Sequence, residues 1–252
     1  MTEYEEQIKH ELQLWQKKMQ KDPGMIDRVS KSVQDKINNI IPDKVHAAIT
    51  ATIKQMTRAV LYGAEFTTGY SANPASLEEI EAKVKSRVEF YKKAGAAEGG
   101  ITGAGGFVLA LAEFPILIGI KMKLLFEIAS LYGKEVDDYR ERLFILYIFQ
   151  LAFSSQKSRQ VIYNQMVDWK AKSQDLPDDI HQFDWKTFQQ EYRDYIDLAK
   201  MAQLIPGIGA AVGIVVNYRL LNQLGKTAMN AYRMRWIEER NLLNDPKKLM
   251  LN

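Results

Sequence analysis

The chain has no cysteine, which excludes disulfides, thiolate nucleophiles and Cys-ligated metal and suits a reducing compartment. Histidine is nearly as scarce. His10, His46 and His181 are far apart, none lies within metal-ligand spacing of another, and each reads as a surface or helix-flank side chain. An excess of one charge is missing too: 34 basic against 31 acidic residues leave +3, too little for nucleic acid, which needs clustered cations. The opening MTEYEEQIKHELQLWQKK begins with acids and carries no apolar core behind a basic start. It is therefore not a secretory signal, and the expected place of the chain is the cytoplasmic side. Alternating period-two runs of Val, Ile and Thr bounded by turns are absent as well, so no sheet is expected.

Catalytic motifs fail on their context. Gly69-Tyr70-Ser71-Ala72-Asn73 approaches a nucleophile elbow but ends in Asn and follows a helical pattern instead of a strand. Gly225-Lys226-Thr227 resembles the end of a phosphate-binding loop, yet Leu220 stands where the earlier glycine is required. Gly207-Ile208-Gly209 has no strand before it. No catalytic residue, metal site or cofactor is assigned, and the reading leans away from an enzyme.

What is present is helical period. Tyr4, Ile8, Leu12, Trp15 and Met19 share one face of a first helix within residues 1–24, ended by Asp22-Pro23-Gly24. Met25, Val29, Val33, Ile37 and Ile40 stripe a second, and Val45, Ile49, Ile53, Met56 and Val60 a third. Residues 63–73 read as a turn-rich break. Ser76 and Glu79 have capping-box spacing ahead of Leu77, Ile80, Val84, Val88 and Tyr91, in a helix predicted to end at Gly95. A further apolar helix should stop at Gly133 as C-cap. Asp137–Phe153 and Ser155–Lys172 read as two more, the former central in a bundle because LFILYIFQLAF is apolar on most faces. Asp184 caps a helix with Trp185, Phe188, Tyr192, Tyr195 and Ile196, and a long final helix runs to about Arg240 before a frayed tail, 241–252. The fold class is all-α: a single-domain multi-helix bundle spanning 1–252, with roughly eight to ten helices.

Two glycine-rich apolar stretches stand out in this pattern. Met201 to Tyr218 carries no formal charge over 18 residues, the lower limit for a spanning helix of about 20. Gly95 to Ile120 is interrupted by Glu98 and Glu113. Gly95, Gly99 and Gly103 recur every four residues, as do Gly209 and Gly213 beyond Pro206 and Gly207. On a helix such spacing makes a ridge without side chains, fit for a tight crossing in a protein core or for pairing in lipid. Lys92 and Lys93 precede the first stretch and Lys121 and Lys123 follow it, while Arg193 and Lys200 precede the second and Arg219 and Lys226 follow it. Spanning helices show a basic asymmetry. These do not, so burial in a bundle or shallow insertion of a hairpin is favoured over a true span.

Glu113 and Lys121 fall about two turns apart on nearly one face, so Glu113 is either half of a structural pair or a polar group in an apolar cavity; Glu98 poses the same question. Asn217 is a further polar residue of the second stretch. Arg219, Lys226, Arg233 and Arg240 recur every seven residues along the last helix, a basic stripe suited to anionic headgroups or to plain solvation.

At these residues the chain resembles the EcsC family. The segment GGITGAGGFVLALAEFPILIGIKMKLLFEIASLYG, residues 99–133, carries a Gly-rich run, Glu113 before Phe114-Pro115, Lys121 and Tyr132-Gly133; Ile205 to Gly213 followed by Asn217-Tyr218 matches a second signature. The resemblance extends over roughly Val29 to Trp236, with Glu113 where the family commonly has Asp. It implies an accessory role beside the ATPase and membrane subunits of a bacterial ABC transporter, with no catalytic residue to carry over. The expectation is thus a non-enzymatic protein peripheral to the cytoplasmic face of the membrane, with transporter subunits or anionic lipids as partners and no nucleic acid. The alternatives are a lipid-handling protein or hydrolase, with acidic residues lining an apolar cavity, and a soluble helical scaffold.

Overall fold

In the computed structural model the described residues are 2–21, 43–62, 76–102, 106–196 and 210–244, with side chains described throughout except at 95–102, 106–113, 156–157, 210–217 and 241–244. Helices make up nearly all of them: α1 Glu3–Gln20, α2 Asp43–Tyr62, α3 Leu77–Thr102, α4 Gly106–Leu131, α5 Tyr139–Phe153, α6 Gln156–Met166, α7 Trp169–Gln174, α8 Trp185–Tyr195 and α9 Ala210–Asn244. A single turn of 3-10 helix, Ile180–Gln182, precedes α8. Among the described residues the only β pairing is one isolated bridge between Ser154 and Ile196. The all-α expectation holds. The expected helix at Met25–Ile40 and the break at 63–73 lie outside the described residues.

Local chemistry sets the helix boundaries. Ser76 and Glu79 form the reciprocal capping box, Ser76 N–H donating to Glu79 Oε2 at 3.0 Å and Glu79 N–H to Ser76 Oγ at 3.2 Å. Thr2 and Glu5 do the same for α1. Gly133 takes φ 71° and closes α4 with the paired bonds Gly133 N–H to Ser130 O and Lys134 N–H to Ala129 O, each 3.0 Å. Asp138 caps α5 through Arg140 N–H, and Asp184 caps α8 through Thr187 N–H. Arg142 Nη2 reaches back 2.9 Å to Leu61 O, satisfying a carbonyl at the C-terminus of α2.

Three expected boundaries are corrected. Gly95 does not end α3, which runs on through Gly99 to Thr102. A glycine costs about 1 kcal/mol of helix propensity, and lateral packing of α3 on α4 and α9 outweighs it. The expected helix Ser155–Lys172 is two helices, because Asp168 adopts φ 53° and turns the chain between α6 and α7. Asp tolerates that left-handed conformation better than most residues. The turn delivers Trp169 onto Phe144, ring centroids 5.2 Å apart, and onto Tyr147 at 5.8 Å. The last helix also continues to Asn244, four residues into the tail expected to fray; 245–252 lie outside the described residues.

Packing follows the stripes. Ile8, Leu12 and Met19 of α1, the whole Val45-to-Val60 stripe of α2, and Leu77, Val84, Val88 and Tyr91 of α3 are all buried. Helix α5 sits at the centre, in contact with α2, α4, α6 and α9, and is buried on every face from Leu143 to Phe153 except at Tyr147. The most extensive interhelix contact joins α3 to α9. They run antiparallel: Glu81 meets Arg233, Val88 meets Gly225 and Lys92 meets Tyr218. No helix among the described residues is long and apolar enough to cross a membrane.

Candidate functional site

The α3–α9 crossing is tightest at Gly225, where an added Cβ would lie 2.6 Å from Val88 Cγ2. Two turns away the same pair is pinned by charge. Arg233 grips Glu81 with both arms of its guanidinium, Nε to Oε1 at 2.6 Å and Nη2 to Oε2 at 2.5 Å. Glu81 is 0% exposed and Arg233 5%. Tyr4 Oη donates to Glu81 Oε2 at 2.7 Å and Tyr132 Oη to Oε1 at 3.3 Å, so four donors satisfy one carboxylate. Arg233 Nη1 is shared by Glu11 at 3.1 Å and Asn230 at 3.2 Å. Burial opposes the guanidinium charge, yet the Glu81 carboxylate outweighs it and holds Arg233 more firmly protonated than usual. Burial, reinforced by Glu81, likewise pushes the Tyr4 and Tyr132 hydroxyls up.

The same construction recurs twice. Glu141 of α5 accepts from Tyr232 Oη at 2.9 Å and Arg235 Nη1 at 2.6 Å. Glu127 of α4 accepts from Tyr91 Oη at 2.7 Å and Arg87 Nε at 2.6 Å. Three buried glutamates, each held by an arginine and at least one tyrosine, tie α1, α3, α4, α5 and α9 together. None of the three is singled out by the sequence pattern, although Glu81 sits seven residues before Val88 and three before Val84, in register with the buried face.

Beside the Glu81–Arg233 pair, α1, α3 and α9 flank a half-open cleft of about 650 Å³. Ile8, Val88, Gly225 and Met229 give it an apolar floor, and Tyr4, Glu11, Lys85, Glu89, Asn222, Lys226 and Asn230 its polar walls. Glu98 and Glu113 are not among its lining residues.

The residues singled out from sequence fall into three groups. Gly95, Gly99 and Gly213 lie on α3 and α9, whereas Gly103, Pro206, Gly207 and Gly209 lie outside the described residues, as do the side chains of Glu98, Glu113 and Asn217. Lys121 is buried, its Nζ 3.4 Å from Leu117 O. The basic stripe divides: Arg219 and Lys226 are exposed, Arg233 is buried in its ion pair, and Arg240 meets Glu5 at 2.8 Å.

The antiparallel register brings the glycine-rich ends together. Tyr218 of α9 lies against Lys92 of α3, with Nζ 4.1 Å from the ring, so the first turns of α9 run beside Gly95 and Gly99, and α4 starts from that same end. Phe90 (54% exposed), Ile116 (63%) and Tyr218 (43%) are exposed on this half of the bundle. Arg87 lies over the Phe90 ring at 4.7 Å, and Lys93 and Arg219 are exposed nearby in sequence.

These features define a class: an all-helical bundle, pinned internally by Tyr–Glu–Arg contacts. The chain belongs to the EcsC protein family, whose model matches residues 6–237 and so takes in most of α1, further toward the N-terminus than the sequence signatures indicated. It is 43% identical over 226 residues to Protein EcsC of Bacillus subtilis (strain 168), covering 89% of this chain and 93% of that protein. It is also 29% identical over 149 residues to the uncharacterized protein YdbA of the same organism, covering 58% of this chain and 54% of that one. No solved structure matches the chain.

Proposed function

We propose that this chain is a non-enzymatic accessory protein of an ABC transporter at the cytoplasmic face of the bacterial membrane, contacting lipid or a membrane subunit with its glycine-rich pole. The observation that carries the reading is the exposed set Phe90, Ile116 and Tyr218, with the exposed cations Lys93 and Arg219 close by in sequence. Aromatic rings and cations together are what an anionic membrane surface takes up. The internal charges support it as well, since Glu81, Glu127 and Glu141 are consumed within the bundle and leave this pole free of their repulsion. Support for the transporter as partner comes from the EcsC resemblance alone.

Cell fractionation with salt and carbonate washes tests the reading. The protein should pellet with membranes, leave them in high salt or carbonate, and sediment with anionic vesicles less well as salt rises. A protein found wholly in the soluble fraction, and left in the supernatant with anionic vesicles at low salt, is a scaffold without lipid contact, and the proposal falls.

A further inference from the structure

We infer that the cleft between α1, α3 and α9 binds a phosphate monoester of a small organic or lipid alcohol. The inference is independent of the membrane pole, because its argument rests on the charge balance within the cleft.

Both acids that line it are already engaged. Glu11 accepts from Arg233 at 3.1 Å and from Gln7 Nε2 at 3.1 Å, and Glu89 is paired with Lys92. Arg233 in turn is matched by Glu81 and Glu11. Two exposed cations remain on opposing helices: Lys85 of α3, whose Nζ lies 3.4 Å from the Tyr4 hydroxyl and 5.7 Å from the Tyr4 ring centre, and Lys226 of α9. Neither has a carboxylate within salt-bridge distance among the described residues. With Glu81 and Glu11 set against Arg233, the two exposed lysines leave one net positive charge on a half-open cleft, which complements an anion, and lysine is a point-charge binder of phosphate. The Tyr4 and Asn222 side chains add hydrogen-bonding capacity on the walls, while Ile8, Val88 and Met229 offer an apolar floor for the alcohol carbons. A cleft of about 650 Å³ has room for a phosphate and an organic group of modest size.

Isothermal titration of the full chain with three probes tests this: inorganic phosphate, glycerol 3-phosphate, and a short-chain phosphatidic acid held below its critical micelle concentration. One of the two esters should bind more tightly than inorganic phosphate. Lys85→Ala and Lys226→Ala should each weaken that binding about tenfold, and the double variant should abolish it. Lys186→Ala, an exposed lysine on α8, should leave it unchanged. Binding of glycerol 3-phosphate identifies a soluble source, and binding only of the short-chain phosphatidic acid a lipid one; either supports the site when the double variant loses it. No binding of either ester, binding that survives the double variant, or inorganic phosphate binding as tightly as the esters overturns the proposal. Because glycerol 3-phosphate needs no membrane, failure of the cleft is distinguishable from failure of the membrane pole.

Discussion

Glu81, which no sequence motif singles out, is a carboxylate buried at the crossing of two long helices. A carboxylate with no exposure is tolerable only because Arg233, Tyr4 and Tyr132 supply four hydrogen bonds. Glu81→Gln leaves a buried guanidinium facing a neutral amide, and urea denaturation should record a loss of about 3–5 kcal/mol. Replacing both partners, Glu81→Leu with Arg233→Met, should cost clearly less than the single change, since no charge is stranded; a double variant as damaged as the single would refute this account. Glu238 makes the opposite case. Burial, then the nearby Asp168 carboxylate, pushes its carboxyl up from 4.5 to about 7. A raised acid favours the folded state below its unfolded value, and that contribution is lost as pH climbs through the folded one. The stability difference between Glu238→Gln and the parent should therefore be near zero at pH 4.5 and grow in the variant's favour up to pH 7. Equal pH profiles for the two proteins would show that Glu238 titrates normally.

At the scale of elements, much was legible because helix stripes and caps are local. The faces of α1, α2 and α3, the Ser76 capping box, Gly133 and the Asp184 cap all follow from residues within a turn or two of each other. The break at Asp168 was not, because nothing in the run Gln156 to Gln174 forbids a continuous helix; the turn is set by where Trp169 must pack. The packing role of Gly225 was not legible either, for a similar reason. In sequence it looks like a fragment of a phosphate loop, and in the fold it is the contact point of α3 with α9. Glycine to alanine in a helix interior ordinarily stabilises by up to about 1 kcal/mol. Here the new methyl would meet Val88 at 2.6 Å, so Gly225→Ala should instead destabilise by about 1–3 kcal/mol, and Val88→Ala in the same chain should recover part of the loss. Thermal unfolding of the three variants decides it, and a Gly225→Ala protein at or above the parent's Tm would mean that the crossing is loose.

For the whole molecule, the candidate sites depend on pairings that no local pattern encodes. Arg233 meets Glu81 across 152 residues and Arg240 meets Glu5 across 235, which is why a regular basic stripe in the sequence becomes half structural and half exposed in the fold. The same long-range register separates two surfaces along α9. Tyr218 lies at the glycine-rich pole with Phe90 and Ile116, while Lys226, two turns on, lines the cleft. If that separation is functional, the two surfaces should fail independently. Phe90→Ser with Tyr218→Ser removes exposed apolar area and should reduce sedimentation with phosphatidylglycerol vesicles severalfold, without changing the heat of glycerol 3-phosphate binding or the Tm by more than a few degrees. Lys85→Ala with Lys226→Ala should do the reverse, losing the phosphate ester while most vesicle binding at low salt remains. A pair of variants that each lose both activities would mean that pole and cleft form one continuous surface, with α9 as its spine.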